Sequence, residues 1–143
     1  MCRFRRPRDR GRYLEPASYI SPRALHEMTR LRFERVFAAC AAHDTELFTY
    51  SASTSVRAAL LGAGFLVGRG VPTGTEPETT LAMTPSAALR AGIRGRVLLG
   101  ADWLERWRRS DASVPGDVSA DHRAAFAARI PRLAQFWSTG EQA

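Results

Sequence analysis

Two short β-prone runs, Glu46-Leu47-Phe48-Thr49-Tyr50 and Phe65-Leu66-Val67-Gly68-Arg69, are separated by one helix-length segment, and that spacing constrains the chain more than any other feature. The first run is β-branched and aromatic, is bounded by turn-prone residues, and reads as a strand buried on both sides. Ser51, Ser53 or Thr54 can cap a helix behind it. Val56, Ala59, Leu60 and Ala63 give that helix an inner face, and Gly64 stops it. Strand, helix and strand form a βαβ unit, for which a right-handed connection is expected. A third run, Thr79-Thr80-Leu81-Ala82-Met83, follows a loop marked by Gly70, Pro72, Gly74 and Pro77. That loop leaves no room for a helix, so the third strand should pair antiparallel with the second.

The flanks are read in the same way. Residues 1–12 read as a disordered basic arm. Residues 13–22, with Pro16 and Pro22, read as a loop. A helix from Ser21 or Pro22 to His43 and Asp44 carries Leu25, Met28, Phe33, Val36, Phe37 and Cys40 on one side, interrupted by Arg32. Residues 85–96 are rich in Ala, Gly and Arg and read as loop or a frayed turn. Ala101–Arg109 is expected to form a short helix with Trp103, Leu104 and Trp107 inward, the tryptophans being core rather than a stacking platform. Ser110–Ser119 reads as linker. Ser119 is expected to cap a last helix over 120–130, with Asp121 in its first turn, and Pro131 should end or kink it. The expected organisation is an arm over 1–12, an α/β domain over 13–84 and an extension with short helices over 85–143.

Composition narrows the function classes. The length suits one domain with one modest core. No stretch approaches the roughly 20 apolar residues of a membrane span. No apolar segment follows the basic N-terminus, so the expectation is a cytoplasmic protein without a secretory signal. Cys2 and Cys40 read as two thiols, a disulfide being the less favoured alternative. His26, His43 and His122 are scattered, and no zinc site is expected. The net charge of +7 is concentrated in Arg3, Arg5, Arg6, Arg8, Arg10 and Arg12. Such an arm suits RNA phosphates, or is a leader without a role. The chain has no lysine, so every Lys/Arg cation is an arginine.

The run Leu47-Phe48-Thr49-Tyr50-Ser51-Ala52-Ser53-Thr54-Ser55-Val56-Arg57-Ala58-Ala59-Leu60-Leu61-Gly62-Ala63-Gly64-Phe65 resembles the late strand–helix–strand segment of a methyltransferase domain. The domain is that of the bifunctional enzyme family that completes 5-methylaminomethyl-2-thiouridine in tRNA, and the stand-alone relatives of that domain are more similar still. Gly68-Arg69-Gly70, Thr73-Gly74, Glu78-Thr79-Thr80-Leu81-Ala82 and Trp103-Leu104-Glu105-Arg106-Trp107, with Ser110 and Pro115, are similar to those relatives too. The resemblance spans residues 22–115. It implies a partial class I, Rossmann-like sheet: its last three strands with flanking helices, the final strand antiparallel, and helices after it. It also implies S-adenosyl-L-methionine as cofactor and tRNA as partner.

The departures from the family shape the functional expectation. The family's cofactor lies at a glycine-rich first βα turn. Gly62, Gly64 and Gly68 do not supply one, because Val67 holds the third glycine position and a helix rather than a strand precedes them. The chain before Leu14 does not read as a strand, the pattern a truncated or misassigned gene start produces. The expectation is a fragment that binds the cofactor weakly or not at all and is inactive alone, with a possible protein partner completing the sheet at the open edge of the Leu47–Tyr50 strand. The alternative is a non-catalytic RNA-binding or interaction module. No residue is assigned to a cofactor or a metal, and no flavin chemistry is expected.

Six residues carry the site expectation. Glu15, in Glu15-Pro16-Ala17-Ser18-Tyr19, stands where the family has an acidic residue, and the resemblance makes it the carboxylate that takes a proton from the acceptor amine. A solvated loop glutamate is the other reading. Tyr50, Ser51 and Thr54 lie at a strand's carboxyl end, where they line a nucleoside pocket or serve as a buried tyrosine and a helix cap. Arg57 is placed to reach an RNA phosphate, or is an ordinary surface arginine. Arg69 and the loop 70–78 flank the substrate mouth, where Glu76 and Glu78 weaken phosphate binding.

Overall fold

The computed structural model describes residues 3–5, 30–75, 77–91 and 97–137. Five strands are present: β1 (Arg3–Arg5), β2 (Glu46–Thr49), β3 (Leu66–Arg69), β4 (Thr80–Met83) and β5 (Val97–Leu98). The helices are α1 (Arg30–Cys40), α2 (Thr54–Ala63), α3 (Pro85–Ala91), α4 (Ala101–Arg108), α5 (Ala120–Arg129) and α6 (Ala134–Trp137), with a 3₁₀ turn at Ile130–Arg132. Expected helix positions 21–29, with Leu25 and Met28, lie outside the described residues.

The sheet order is β1-β2-β4-β3-β5 and every pairing is antiparallel. Since β2 and β3 each run antiparallel to β4, they are parallel to one another, with β4 inserted between them. The antiparallel β3–β4 pair expected from the short loop is therefore present. The β2-α2-β3 segment is a crossover between parallel strands that do not touch.

Register assigns the faces. Leu47, Ala82 and Val67 are partners across the three central strands and point into the larger core, with Val56, Leu60, Trp103, Trp107, Phe126 and Ile130. Leu81 and Met83 point to the other face, against Ala87 and Ala88 of α3, where Phe48 and Leu66 join them. Side chains alternate across a strand, so a central strand between two packed layers is buried throughout, as all four β4 residues are, Thr80 being the polar one. Each fully buried leucine, such as Leu60 or Leu61, contributes about 1.5–3 kcal/mol over the exposed state.

α2 begins and ends as its sequence dictates. The Ser53 hydroxyl accepts from the Val56 amide at 3.2 Å. Gly64 takes the left-handed conformation at φ 115° and closes on the carbonyls of Leu60 and Leu61. A Cβ at Gly64 would also lie 2.9 Å from the Phe37 ring, which meets Phe65 edge-on at 5.0 Å.

Several expectations are corrected. Arg3–Arg5, within the arm read as disordered and before the point where no strand was expected, form β1 and cover the β2 edge that was to be open. Residues 85–91, read as loop, are helical. The Thr84 hydroxyl accepts from the Ala87 amide and Pro85 takes the first helical position, a start signal that outweighs the Ala/Gly/Arg composition. Residues 110–119 are more than linker: Val114, Pro115 and Val118 are buried, and Asp117 accepts from the amides of Arg30 and Leu31 at 3.0 and 3.2 Å, capping α1 across the fold. β5 and α6 were not anticipated.

α6 carries a second edge device. Gln135 is buried against β3, where its Oε1 accepts from the Val67 amide at 2.9 Å. Its Nε2 donates to the carbonyls of Val67 and Leu99 at 3.0 and 3.1 Å. The side-chain amide thus stands in for a missing strand residue. Gln135→Ala should remove the partner of the buried Val67 amide and one donor from each of the Val67 and Leu99 carbonyls, and lower the unfolding free energy by about 2 kcal/mol in urea titration. Gln135→Glu should be worse at neutral pH, because its carboxylate faces two carbonyl oxygens with no donor to offer.

Candidate functional site

The carboxyl ends of β2 and β3 and the start of β4 lie at one edge of the sheet. Thr49, Thr80 and Arg69 are register partners there and share the α2 face. Tyr50 and Ser51 leave β2, Thr54 and Arg57 start α2, and Arg69 ends β3, so five of the six expected site residues gather at this edge. Glu15 lies outside the described residues. Tyr50 is 43% exposed, which sets aside the buried-tyrosine alternative and leaves its ring accessible. Ser51 and Thr54 are half-buried, and the helix cap falls to Ser53.

Arg57 is not at the surface in either sense expected; it is 1% exposed. Its Nε donates to Thr80 Oγ1 at 2.9 Å, its Nη1 to Glu78 Oε1 at 2.8 Å and its Nη2 to the Thr79 carbonyl at 3.1 Å. The Thr80 hydroxyl in turn donates to the Ser51 carbonyl at 2.7 Å. One guanidinium therefore ties the start of α2 to the start of β4 and, through Thr80, to the exit of β2. The planar fork of arginine suits this set of acceptors, which a lysine would not reach together.

The loop from Gly70 to Glu78 stands over this network. Its base is held by the Gly70 amide on the Thr79 carbonyl at 3.0 Å and by Thr79 Oγ1 on the Val71 carbonyl at 2.9 Å. Between the loop and α4 lies a cavity of about 360 Å³ lined by Arg69, Gly70, Pro72, Pro77, Glu78 and Arg106. Arg69 Nη2 donates to Asp102 Oδ2 at 2.6 Å. Arg69 and Arg106 also approach Glu78, but only to 4.0 and 3.9 Å. Three guanidinium groups thus converge on one carboxylate, and only that of Arg57 is within hydrogen-bonding distance.

Asp102 and Arg106 were not singled out from sequence, although a signal existed. With Trp103, Leu104 and Trp107 turned inward, positions 102 and 106 fall one helical turn apart on the same flank of α4. The inward placement itself holds: Trp103 stacks on Trp107 and on Phe136, at 6.3 and 6.0 Å between ring centres. Among the described residues no group of three or more His, Cys, Asp or Glu side chains could hold a metal ion, and no helix is long and apolar enough to cross a membrane.

The Arg57 hydrogen bond holds the Glu78 carboxyl below its ordinary pKa; burial opposes this, and the charges of Arg57, Arg106 and Arg69 reinforce it. A depressed folded-state pKa means a stabilisation fully present above the unfolded glutamate value, about 4.3, and lost as pH falls through the folded value. Glu78→Gln should therefore be less stable than the parent chain at pH 7. The gap should close steadily below about pH 4.3, as read by chemical denaturation at a series of pH values. A gap constant with pH would remove the ion pair from the account.

Residues 19–85 match the model of a family described as S-adenosyl-L-methionine-dependent methyltransferase, a match over a little under half of the chain. No curated protein and no solved structure matches the chain significantly. The matched stretch runs through α1, β2, α2, β3 and β4 to the first residue of α3, so the elements that build the sheet edge and bury Arg57 are those this chain shares with the methyltransferase family model.

Proposed function

We propose that this chain forms the acceptor side of a methyltransferase-family domain related to tRNA wobble-uridine modification, and that it does not transfer a methyl group by itself. The observation that carries the reading is the strand order β2-β4-β3. An antiparallel strand inserted between two parallel strands joined by a helix is the arrangement with which a class I methyltransferase sheet closes, and it falls within the family match. Tyr50 at the sheet edge offers a ring for a nucleobase, and Ser51 and Thr54 offer hydroxyls beside it. A cytoplasmic setting belongs to the same proposal.

The described residues do not fit the sulfonium donor. The turn from β2 to α2 is Ser51-Ala52-Ser53, in which the Ser53 amide donates to Ser51 Oγ at 3.3 Å and the Ser53 hydroxyl caps the helix. It has no glycine over which a ligand's backbone contact could form. The cavity places Arg69 and Arg106 beside any guest, and among the described residues its one lining carboxylate, Glu78, is hydrogen-bonded to Arg57. A cationic sulfonium gains little there. The same charge pattern favours a second reading, a non-catalytic RNA-binding module derived from this fold.

Titration calorimetry of the full chain with S-adenosyl-L-methionine should give no micromolar binding; clear micromolar binding would overturn the proposal. Adding a polypeptide that carries a donor-binding half should produce methyl transfer to undermodified tRNA under the first reading. Retention of tRNA without transfer would favour the second.

A further inference from the structure

We infer that the open cavity between the loop 70–78 and α4 is a phosphate-binding site, in which an incoming phosphate competes with Asp102 for Arg69 and engages Arg106, while Glu78 stays on Arg57. Arg106 makes a single ion pair among the described residues, with Glu78 at 3.9 Å, too long for a hydrogen bond. Arg69 is held at 2.6 Å by Asp102, whose side chain is 63% exposed. A pair so open to water contributes little on its own and yields to a competing anion. Glu78 cannot satisfy all three guanidinium groups, since its short contact is with buried Arg57.

Two planar donors therefore flank a cavity large enough for a nucleotide, and arginine forks match phosphate oxygens geometrically. Gly70 lines the wall without a side chain, while Pro72 and Pro77 supply apolar surface that suits a sugar or base better than bulk anions. The loop base is held by the Gly70–Thr79 and Thr79–Val71 hydrogen bonds. This inference concerns the acceptor side alone and stands whether or not methyl transfer takes place.

The test is titration of the full chain with inorganic phosphate, uridine, uridine 5′-monophosphate and a short oligouridylate, read by calorimetry. Phosphate and the monophosphate should bind where uridine does not. Arg69→Ala and Arg106→Ala should each weaken binding about tenfold, as loss of one charge-assisted contact does. Arg123→Ala, an exposed arginine on α5, should change nothing. Asp102→Asn should bind phosphate several-fold more tightly, because it releases Arg69 while keeping the side chain's size. Tighter binding of the oligouridylate than of the monophosphate would identify a backbone diester as the source, and the reverse a free nucleotide; both support the site. Equal binding of uridine and its monophosphate, an unchanged Arg106→Ala, or no gain in Asp102→Asn would overturn it. Failure of S-adenosyl-L-methionine to bind bears on the preceding proposal and not on this one.

Discussion

The geometry of the sheet end that carries the candidate site depends on a guanidinium placed where water does not reach. Burying an unpaired cation costs several kcal/mol. Arg57 is tolerated because a carboxylate, a hydroxyl and a carbonyl receive it, all from one stretch, Glu78-Thr79-Thr80. Replacing such a group with well-packed apolar residues often costs nothing in stability, so its contribution is best sought in specificity. A sheet strand can slip by two residues without changing its faces. A β4 slipped along β3 would move Thr80 and the Thr79 carbonyl away from Arg57 and strand the charge. The network thereby favours one register among those that hydrophobic patterning alone allows.

The electrostatics of the neighbouring cavity follow from that same placement. Glu78 is turned toward Arg57 and kept ionised by it. Among the described residues it is the one carboxylate in the lining, and there Arg69 and Arg106 have distant or solvent-exposed counter-charges. The structural ion pair and the absence of a short Glu78 contact to Arg69 or Arg106 are two consequences of one assignment of partners. The expectation that Glu76 and Glu78 weaken anion binding at the mouth rests on two residues, of which Glu76 lies outside the described residues and Glu78 is hydrogen-bonded to Arg57 from behind.

The central fold was legible in the sequence because its signals are local and agree. Ser53 before a helix-forming run, Gly64 after it, β-prone runs on either side and a helix-free loop to Thr79 all specify the same strand–helix–strand–strand path. What was not legible depends on distant partners. Nothing near Arg57 in the chain distinguishes a surface arginine from a buried one, since its acceptors arrive about twenty residues later. Asp117 as the cap of α1 and Gln135 as a strand surrogate are equally non-local. Thr84-Pro85 was a different kind of miss. Its start signal was present in the local sequence and was outweighed by a composition that reads as loop.

The outer edges of β2 and β3 are both covered. On the β2 side, β1 supplies three residues of antiparallel pairing. On the β3 side, β5 pairs only at Gly68 and Arg69, where Gly68 permits the close approach: a Cβ there would lie 2.6 Å from the Val97 carbonyl oxygen. Beyond that short ladder the Leu99 amide reaches the Val67 carbonyl at 3.0 Å, and Gln135 covers the rest of Val67. Unpaired strand edges recruit other chains. The two edges are protected by different means, one by a strand remote in sequence and one by a side chain from the C-terminal helices. The second device ties α6 to β3 and stacks Phe136 on Trp103, which in turn orients α4. The helix that carries Asp102 and Arg106 thus packs, through Trp103, against the same segment that satisfies the buried backbone groups of Val67.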